Sequence, residues 1–303
     1  MSEPDPGLLS WVTSCVDPGA SVVSATGLRR GEPPWLLRLS NSDIDEVVVR
    51  IGDESSVARL VTEMAALEAI AGSGIPGPRF LGVAIGGPDA PDVFALAMSR
   101  VPGTSRSSVE PSTARLRALG EAVASVHAAP VPTSPHLPVR RCPVEPVDFD
   151  AARRSEPARA LLVEAENVLR RIPMPDHEPV FVHGDFWHGN TMWVDDQLTG
   201  IVDWECAGIG HPGIDLGMQR CDAALVVGPS GADDVLAGYE SAIGHPATDV
   251  AYWDIAAALT TPPTMELFIQ TIIGQGRTDL DPPTLLTRRD DFLATALDRM
   301  GRV

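Results

Sequence analysis

The sequence predicts an α+β protein in two lobes, a small antiparallel sheet with one helix followed by a larger, mainly helical part. Three observations carry that expectation. The first hundred residues alternate short β-rich runs around a single stretch with helical spacing. Beyond residue 216, apolar residues recur in helical faces at 225–227, 255–259 and 267–273. A length of 303 residues suits about two domains of ~150 residues each. The expected lobes are residues 1–98 and 105–303, joined by a hinge over 99–104 that holds Val101-Pro102-Gly103-Thr104.

Taken in order, Trp35-Leu36-Leu37-Arg38-Leu39 and Glu46-Val47-Val48-Val49-Arg50-Ile51 read as strands, parted by the turn formers Ser40-Asn41-Ser42-Asp43. Residues 55–71 switch to helical spacing, with Val57, Leu60, Val61, Met64, Leu67 and Ile70 in one stripe. Gly72, Gly74 and Pro76 stop that helix. Two more strands follow at 80–84 and 93–98. Leu116, Leu119, Val123 and Val126 mark a helix that Pro111-Ser112 can start and that ends in His127. A proline-rich stretch over 130–146 reads as an ordered surface excursion or a loop near an active cleft, and 158–169 is helical again.

Charge and composition narrow the function. With 23 basic and 41 acidic residues the net charge is −18, and all 23 basic residues are arginines. A chain without lysine cannot use a Schiff base, a P-loop lysine or a lysine general base. The acidic balance argues against nucleic acid, whose phosphates need a basic patch. It suits a neutral or cationic small molecule. Cys15, Cys142, Cys206 and Cys221 lie far apart with no C-x-x-C pair, so neither structural zinc nor a disulfide framework is expected. Met1-Ser2-Glu3-Pro4 lacks the basic and apolar regions of a signal peptide, and no apolar run approaches the ~18 residues of a membrane span. A cytoplasmic protein is expected.

The stretch that carries chemistry runs from Val180 to Gly217. Val180-Phe181-Val182 reads as a buried strand ending at His183-Gly184-Asp185, and Asn190 follows five residues after Asp185. Residues 191–195 read as a strand, Asp196-Gln197 as a turn, and 198–202 as the returning strand that delivers Asp203. That order brings two carboxylates and one amide to the same end of a hairpin. Hard cations take oxygen ligands, and magnesium uses one or two carboxylates plus substrate phosphates. The spacing suits one acid as base, with Asn190 and Asp203 as metal ligands.

His183-Gly184-Asp185-x-x-x-x-Asn190, followed by Ile201-Val202-Asp203-Trp204-Glu205 and by Gly210-His211-Pro212-Gly213-Ile214-Asp215-Leu216, resembles the signature of aminoglycoside phosphotransferases and related small-molecule kinases. The resemblance implies a protein-kinase-like fold, with a nucleotide-binding N-terminal lobe and a catalytic, substrate-binding C-terminal lobe. It also implies Mg2+ and ATP or GTP as co-substrate. In that pattern Asp185 is the catalytic base, Asn190 and Asp203 bind magnesium, and His183 and Asp215 brace the loop. A strand lysine that grips the α- and β-phosphates is paired with a helical acid. Here Glu63 supplies the acid, and Arg50, thirteen residues before it, is the candidate cation, with Arg38 as rival. Backbone groups of the hinge around Met98 and Val101 would receive the base. The phosphate-covering loop falls on Ser24–Gly31, between two strands, although it lacks G-x-G-x-x-G. His188 receives no role, and His127 and His211 are expected as satisfied helix-end or loop histidines.

Family members act on aminoglycosides, macrolides, choline-like alcohols, homoserine and sugars, so an antibiotic or a metabolite fits equally. Asp222, Asp233, Asp234, Glu240, Asp249, Asp254 and Glu266 form either an acidic wall for a cationic acceptor or ordinary solvated helix faces. Tyr252 and Trp253 either stack a sugar or belong to the core. Two other classes stay open: a nucleotide-binding kinase-fold protein without transfer, and a metal-dependent hydrolase using His183, Asp185 and Asp203 as ligands.

Overall fold

A computed structural model of the chain describes residues 4–29, 32–87, 90, 92–145 and 159–301. Arg30, Gly31, Pro146 and Ala158, which belong to the expected loop, proline-rich stretch and helix, lie outside the described residues. The chain divides into two units: Met1–Pro102 with Ser134–Leu137 and Thr199–Glu205, and Gly103–Thr133 with Pro138–Leu198 and Cys206–Val303.

The first unit is a five-stranded antiparallel sheet with helices α1 (Pro6–Val16) and α2 (Val57–Ile70). Its strands are β1 (Ser21–Arg29), β2 (Glu32–Ser40), β3 (Glu46–Ile51), β4 (Phe80–Ile85) and β5 (Phe94–Ser99), in the order β1-β2-β3-β5-β4. Alternation sorts the two faces. Trp35, Leu37 and Leu39 of β2, Val47 and Val49 of β3, and Ala95 and Ala97 of β5 form one core with Leu8 and Val12 of α1. Arg50, next to Val49, therefore belongs to the opposite face, where α2 meets β4 and β5.

Two elements here differ from the sequence expectation. Helix α1 was not expected, although Asp5 caps it by accepting from the Gly7 N–H and Pro6 stands at its first turn. Ser24–Arg29, expected as a loop, is the second half of β1 and pairs with β2. Its polar, glycine-containing sequence hides the strand, which exists because β2 supplies hydrogen-bond partners.

The second unit is mainly helical. Its helices are α3 (Thr113–His127), α4 (Ala160–Arg171), α5 (Gly213–Val226), α6 (Pro229–Ile243), α7 (Val250–Ala258), α8 (Glu266–Gly274) and α9 (Pro282–Arg299). A three-stranded sheet joins β6 (Val139–Arg140) and β7 (Val180–Val182) through a central β10 (Gly208–Gly210). The core gathers Leu162 and Ala165 of α4, Leu225 of α5, Ile255 of α7, and Leu285 and Leu293 of α9. Arg220 and Asp254, both about 1% exposed, form a bidentate pair inside it, with Nε–Oδ1 and Nη2–Oδ2 each 2.9 Å. Asp254 thus belongs neither to an acidic wall nor to a solvated helix face, because a carboxylate so placed faces no solvent. Trp253, 1% exposed, is likewise core rather than a stacking platform.

Helices α3 and α6 meet backbone to backbone. A Cβ on Gly120 would stand 2.0 Å from the Val235 carbonyl, and one on Gly238 would stand 2.1 Å from the Arg117 carbonyl. Only glycine permits that approach.

The expected strand–turn–strand after Asn190 is β8 (Thr191–Val194) and β9 (Gln197–Ile201). Its turn falls at Asp195-Asp196, one residue earlier than expected, with Asp195 at φ 51°. Aspartate tolerates this left-handed conformation better than most residues. No described helix is long and apolar enough to cross a membrane.

Candidate active site

The two units carry distinct clusters of the residues singled out above. In the first unit, Arg50 lies among three carboxylates. Its Nη1 donates to Glu63 Oε1 at 3.2 Å and to Asp203 Oδ1, and its Nη2 donates to Glu205 Oε2 at 2.8 Å. Glu63 is 1% exposed and also accepts the Trp204 backbone N–H at 3.3 Å. Arg38, the rival cation, is exposed and paired with Glu46 at 3.1 Å. The geometry thus gives Glu63 to Arg50. Two more arginines approach from solvent, Arg29 at 3.9 Å from Asp203 and Arg59 at 3.7 Å from Glu205.

This cluster shifts its own protonation. Burial works against the Arg50 charge, but Glu63, Asp203 and Glu205 outweigh it and hold the guanidinium above its ordinary pKa. Burial likewise pushes the Glu63 carboxyl up, with Arg50 pulling the other way. Asp203 sits at φ 69°, in the left-handed region that aspartate enters more readily than most residues. Glu205 received no role from the sequence. Its signal was its position, two residues past Asp203 in the short helical turn Trp204–Cys206.

Of the expected hinge residues, Met98 is in the ladder opposite Val48 and Phe80, and Val101 is buried just beyond β5.

In the second unit, the loop between β7 and β8 holds His183, Asp185 and Asn190. Its entry is tied to α5 by one carboxylate. Asp215, fully buried, accepts the backbone N–H of His183 and of Gly184, both at 2.8 Å. His127 Nε2 reaches the same carboxylate at 3.1 Å, and His127 Nδ1 lies 3.0 Å from the Tyr239 hydroxyl. Burial, then the nearby Asp215 charge, pushes the Tyr239 hydroxyl up to about 12. Gly184 at φ 82° completes the turn, and a Cβ there would stand 2.1 Å from the Cys206 carbonyl. Any other residue would displace the loop.

Asp185 is half-buried, and Asn190 Nδ2 donates to both its backbone oxygen at 2.9 Å and its Oδ2 at 3.2 Å. With Nδ2 so engaged, the Asn190 side chain has its oxygen left for a ligand, the donor type a hard cation takes. Asp203 in the first unit offers the same chemistry. His183 is fully buried, and its Nδ1 accepts the Asp185 N–H at 3.3 Å. With Nδ1 accepting, a neutral ring carries its hydrogen on Nε2 and offers a metal no lone pair, which weighs against the hydrolase alternative.

Several residues do something other than expected. His188, given no role, binds Asp222 through its backbone N–H at 3.1 Å and Nδ1 at 2.7 Å, so Asp222 is no open wall residue. His211, expected as satisfied, accepts from Gly213 N–H at 2.9 Å, but its buried Nε2 has no partner among the described residues. Burial, with His177 and His127 nearby, lowers its pKa to about 4.

A family model of the phosphotransferase enzyme family APH matches residues 33–252. Among solved structures, a protein from Ralstonia eutropha JMP134 assigned to the aminoglycoside phosphotransferases aligns with a TM-score of 0.65 at 16% identity, covering 98% of each chain. An amicoumacin kinase solved with AMP-PNP and Ca2+ aligns at 0.59 and 12% identity, covering 98% of this chain and 94% of its own. An aminoglycoside phosphotransferase from Streptomyces rimosus, solved with ADP and streptomycin, aligns at 0.55 and 20% identity, covering 83% and 95%. A search of curated proteins gave no match. With the family model spanning most of its length and the kinase fold evident, the chain belongs to the phosphotransferase enzyme family, the small-molecule phosphotransferases.

Proposed function

We propose that this protein transfers the γ-phosphoryl group of ATP or GTP to a hydroxyl of a small molecule, with Mg2+ as its ion. The observation that supports this best is the Asp185 loop. Its two leading amides are bound by a fully buried Asp215, and its acid is held by Asn190. Asp185 orients the acceptor hydroxyl and takes its proton. Arg50, oriented by Glu63, grips the α- and β-phosphates. Asn190 and Asp203 would hold the magnesium, which when bound offsets the negative charge on the β- and γ-phosphates. His183 and Asp215 support the loop, Ser99–Thr104 acts as the hinge, and backbone groups at Met98 and Val101 receive the base. Positioning and electrostatics supply most of the rate in such a transfer.

The acceptor is a hydroxylated small molecule of the kind family members accept, antibiotics such as streptomycin included. A cationic acceptor would meet Asp233, Asp249 and Glu266, which remain exposed after Asp222 and Asp254 are taken by His188 and Arg220. The setting we propose is the cytoplasm, where nucleoside triphosphates are supplied.

A coupled ADP- and GDP-release screen over aminoglycosides, macrolides, amino alcohols and sugars tests the reaction. Asp185→Ala is expected to cut turnover of the best acceptor by about 10²-fold or more, leaving magnesium-dependent stabilisation by nucleotide intact. Near-normal turnover in that variant would refute the role of Asp185. A protein stabilised by no nucleotide with magnesium would refute the kinase reading itself.

A further inference from the structure

Helix α5 carries two acids seven residues apart, Asp215 and Asp222. Seven residues are about two helical turns, so both side chains leave the same side of the helix. Asp215 binds the entry of the Asp185 loop, and Asp222 binds its exit. Asp222 Oδ2 accepts both the backbone N–H of His188 at 3.1 Å and its Nδ1 at 2.7 Å. The second bond places the hydrogen on Nδ1 and fixes the ring. His188 opens the short helical turn His188–Asn190. Its carbonyl accepts from Thr191 Oγ1 at 2.6 Å, which in turn accepts from Trp193 Nε1 at 2.8 Å. The turn that presents Asn190 is therefore fastened to α5 through this histidine.

Nothing else described holds the His188 ring by a hydrogen bond. Its Nε2 is buried without a partner among the described residues, as are both amide atoms of Gln219, which lies between the two acids on α5. These atoms line a crevice with Leu116 and Leu119 whose enclosed space, about 10 Å³, matches a single water. The crevice is thus too small for a ligand, and the fastening to Asp222 is the feature that carries meaning.

We propose that Asp222 is a positioning residue which, through His188, fixes the exit of the catalytic loop and with it the placement of Asn190 against Asp185. The proposal rests on the phosphotransferase reading for its kinetic consequence, but its structural consequence stands alone. Asp222 touches no substrate in this scheme.

The test uses the full chain as wild type, Asp222→Ala, Asp222→Asn, His188→Ala and the Asp222→Ala/His188→Ala double variant. In Asp222→Ala, amides of residues 188–193 should exchange about tenfold faster or more, while those of His183 and Gly184 keep their protection. Asp222→Asn retains an acceptor oxygen and should restore most of that protection. With the best acceptor, kcat should fall about tenfold or more in Asp222→Ala, recover partly in Asp222→Asn, and fall no further in the double variant. Unchanged exchange at 188–193, unchanged kcat, or additive losses in the double variant would each overturn the proposal. Should Asp222→Ala not fold, unchanged exchange at residues 188–193 and unchanged kcat in His188→Ala overturn it instead. If the wild type transfers no phosphoryl group, the functional reading fails, and the exchange comparison still decides the clamp.

Discussion

Arg50, half-buried, and Asp215, fully buried, are both charges with three partners, yet they are built in opposite ways. Arg50 is one cation shared by three carboxylates, its side chain 20% exposed. Asp215 is one fully buried anion shared by three donors, two of them backbone N–H groups. A carboxylate bound by backbone amides has one arrangement, because the donors cannot swing away. A guanidinium facing three acids has several, since its five N–H groups can be redistributed and the acids outnumber it. The Asp215 hub therefore has one bonding pattern, whereas the Arg50 cluster can redistribute its hydrogen bonds among its acids, as the proposed grip on phosphates requires.

Breaking the Asp215 side should cost most. Asp215→Ala strands two buried amides and the His127 ring, with an expected loss of about 3–5 kcal/mol in urea unfolding and no measurable turnover. Arg50→Ala should cost less, about 2–3 kcal/mol, because Asp203 and Glu205 still reach solvent and only Glu63 is left deeply buried. Arg50→Lys should recover under half of that loss, since an ammonium cannot serve three carboxylates in a planar fork. An equal loss in Asp215→Ala and Arg50→Ala would erase the contrast.

A third measurement uses pH. The folded-state pKa of His211 is lowered from its ordinary 6.5 to about 4, so the folded protein binds fewer protons than the unfolded chain in between. Its contribution to stability is complete above pH 6.5 and is lost as pH falls toward 4, by about 3 kcal/mol at most. His211→Asn, still able to accept from Gly213, should flatten that acid limb in thermal unfolding. An unchanged limb would assign it to other groups. The smallest effects separate the hub's outer layer from the surface. Tyr239→Phe, which removes the hydroxyl beside His127, should cost about 1 kcal/mol. Arg38→Ala, on an exposed pair, should cost under about 1 kcal/mol and leave nucleotide binding unchanged.

The parts legible in the sequence are those where chemistry dictates residue type at short range. Asp185 and Asn190 lie five residues apart, so their meeting needs only a local turn. Arg50 and Glu63 were readable only through the family resemblance, which asks for a strand cation beside a helical acid, and the two side chains do meet, Nη1 to Oε1 at 3.2 Å. The Asp222–His188 bond was not, since it joins positions 34 residues apart and depends on which side of α5 faces the loop. Helix α1 stayed hidden because only Leu8 and Val12 of its eleven residues are buried, too few to set a clear stripe. The acids of the C-terminal third were ambiguous for a related reason. Asp254 and Asp233 look alike in sequence, and only the packing of α5 against α7 buries one and leaves the other in water.

The glycine contact between α3 and α6 reaches further than its own neighbourhood. His127 closes α3 about 10 Å along the axis from Gly120, and its two ring bonds, at 3.1 and 3.0 Å, have under about half an ångström of slack before they fail. A methyl group on Gly120 or Gly238 needs roughly 1 Å or more of added clearance from the opposing backbone. The helix spacing therefore works as a gauge for the histidine. A change at either glycine, with no polar atom of its own, would be felt at the Asp215 carboxylate and so at the loop whose amides it holds.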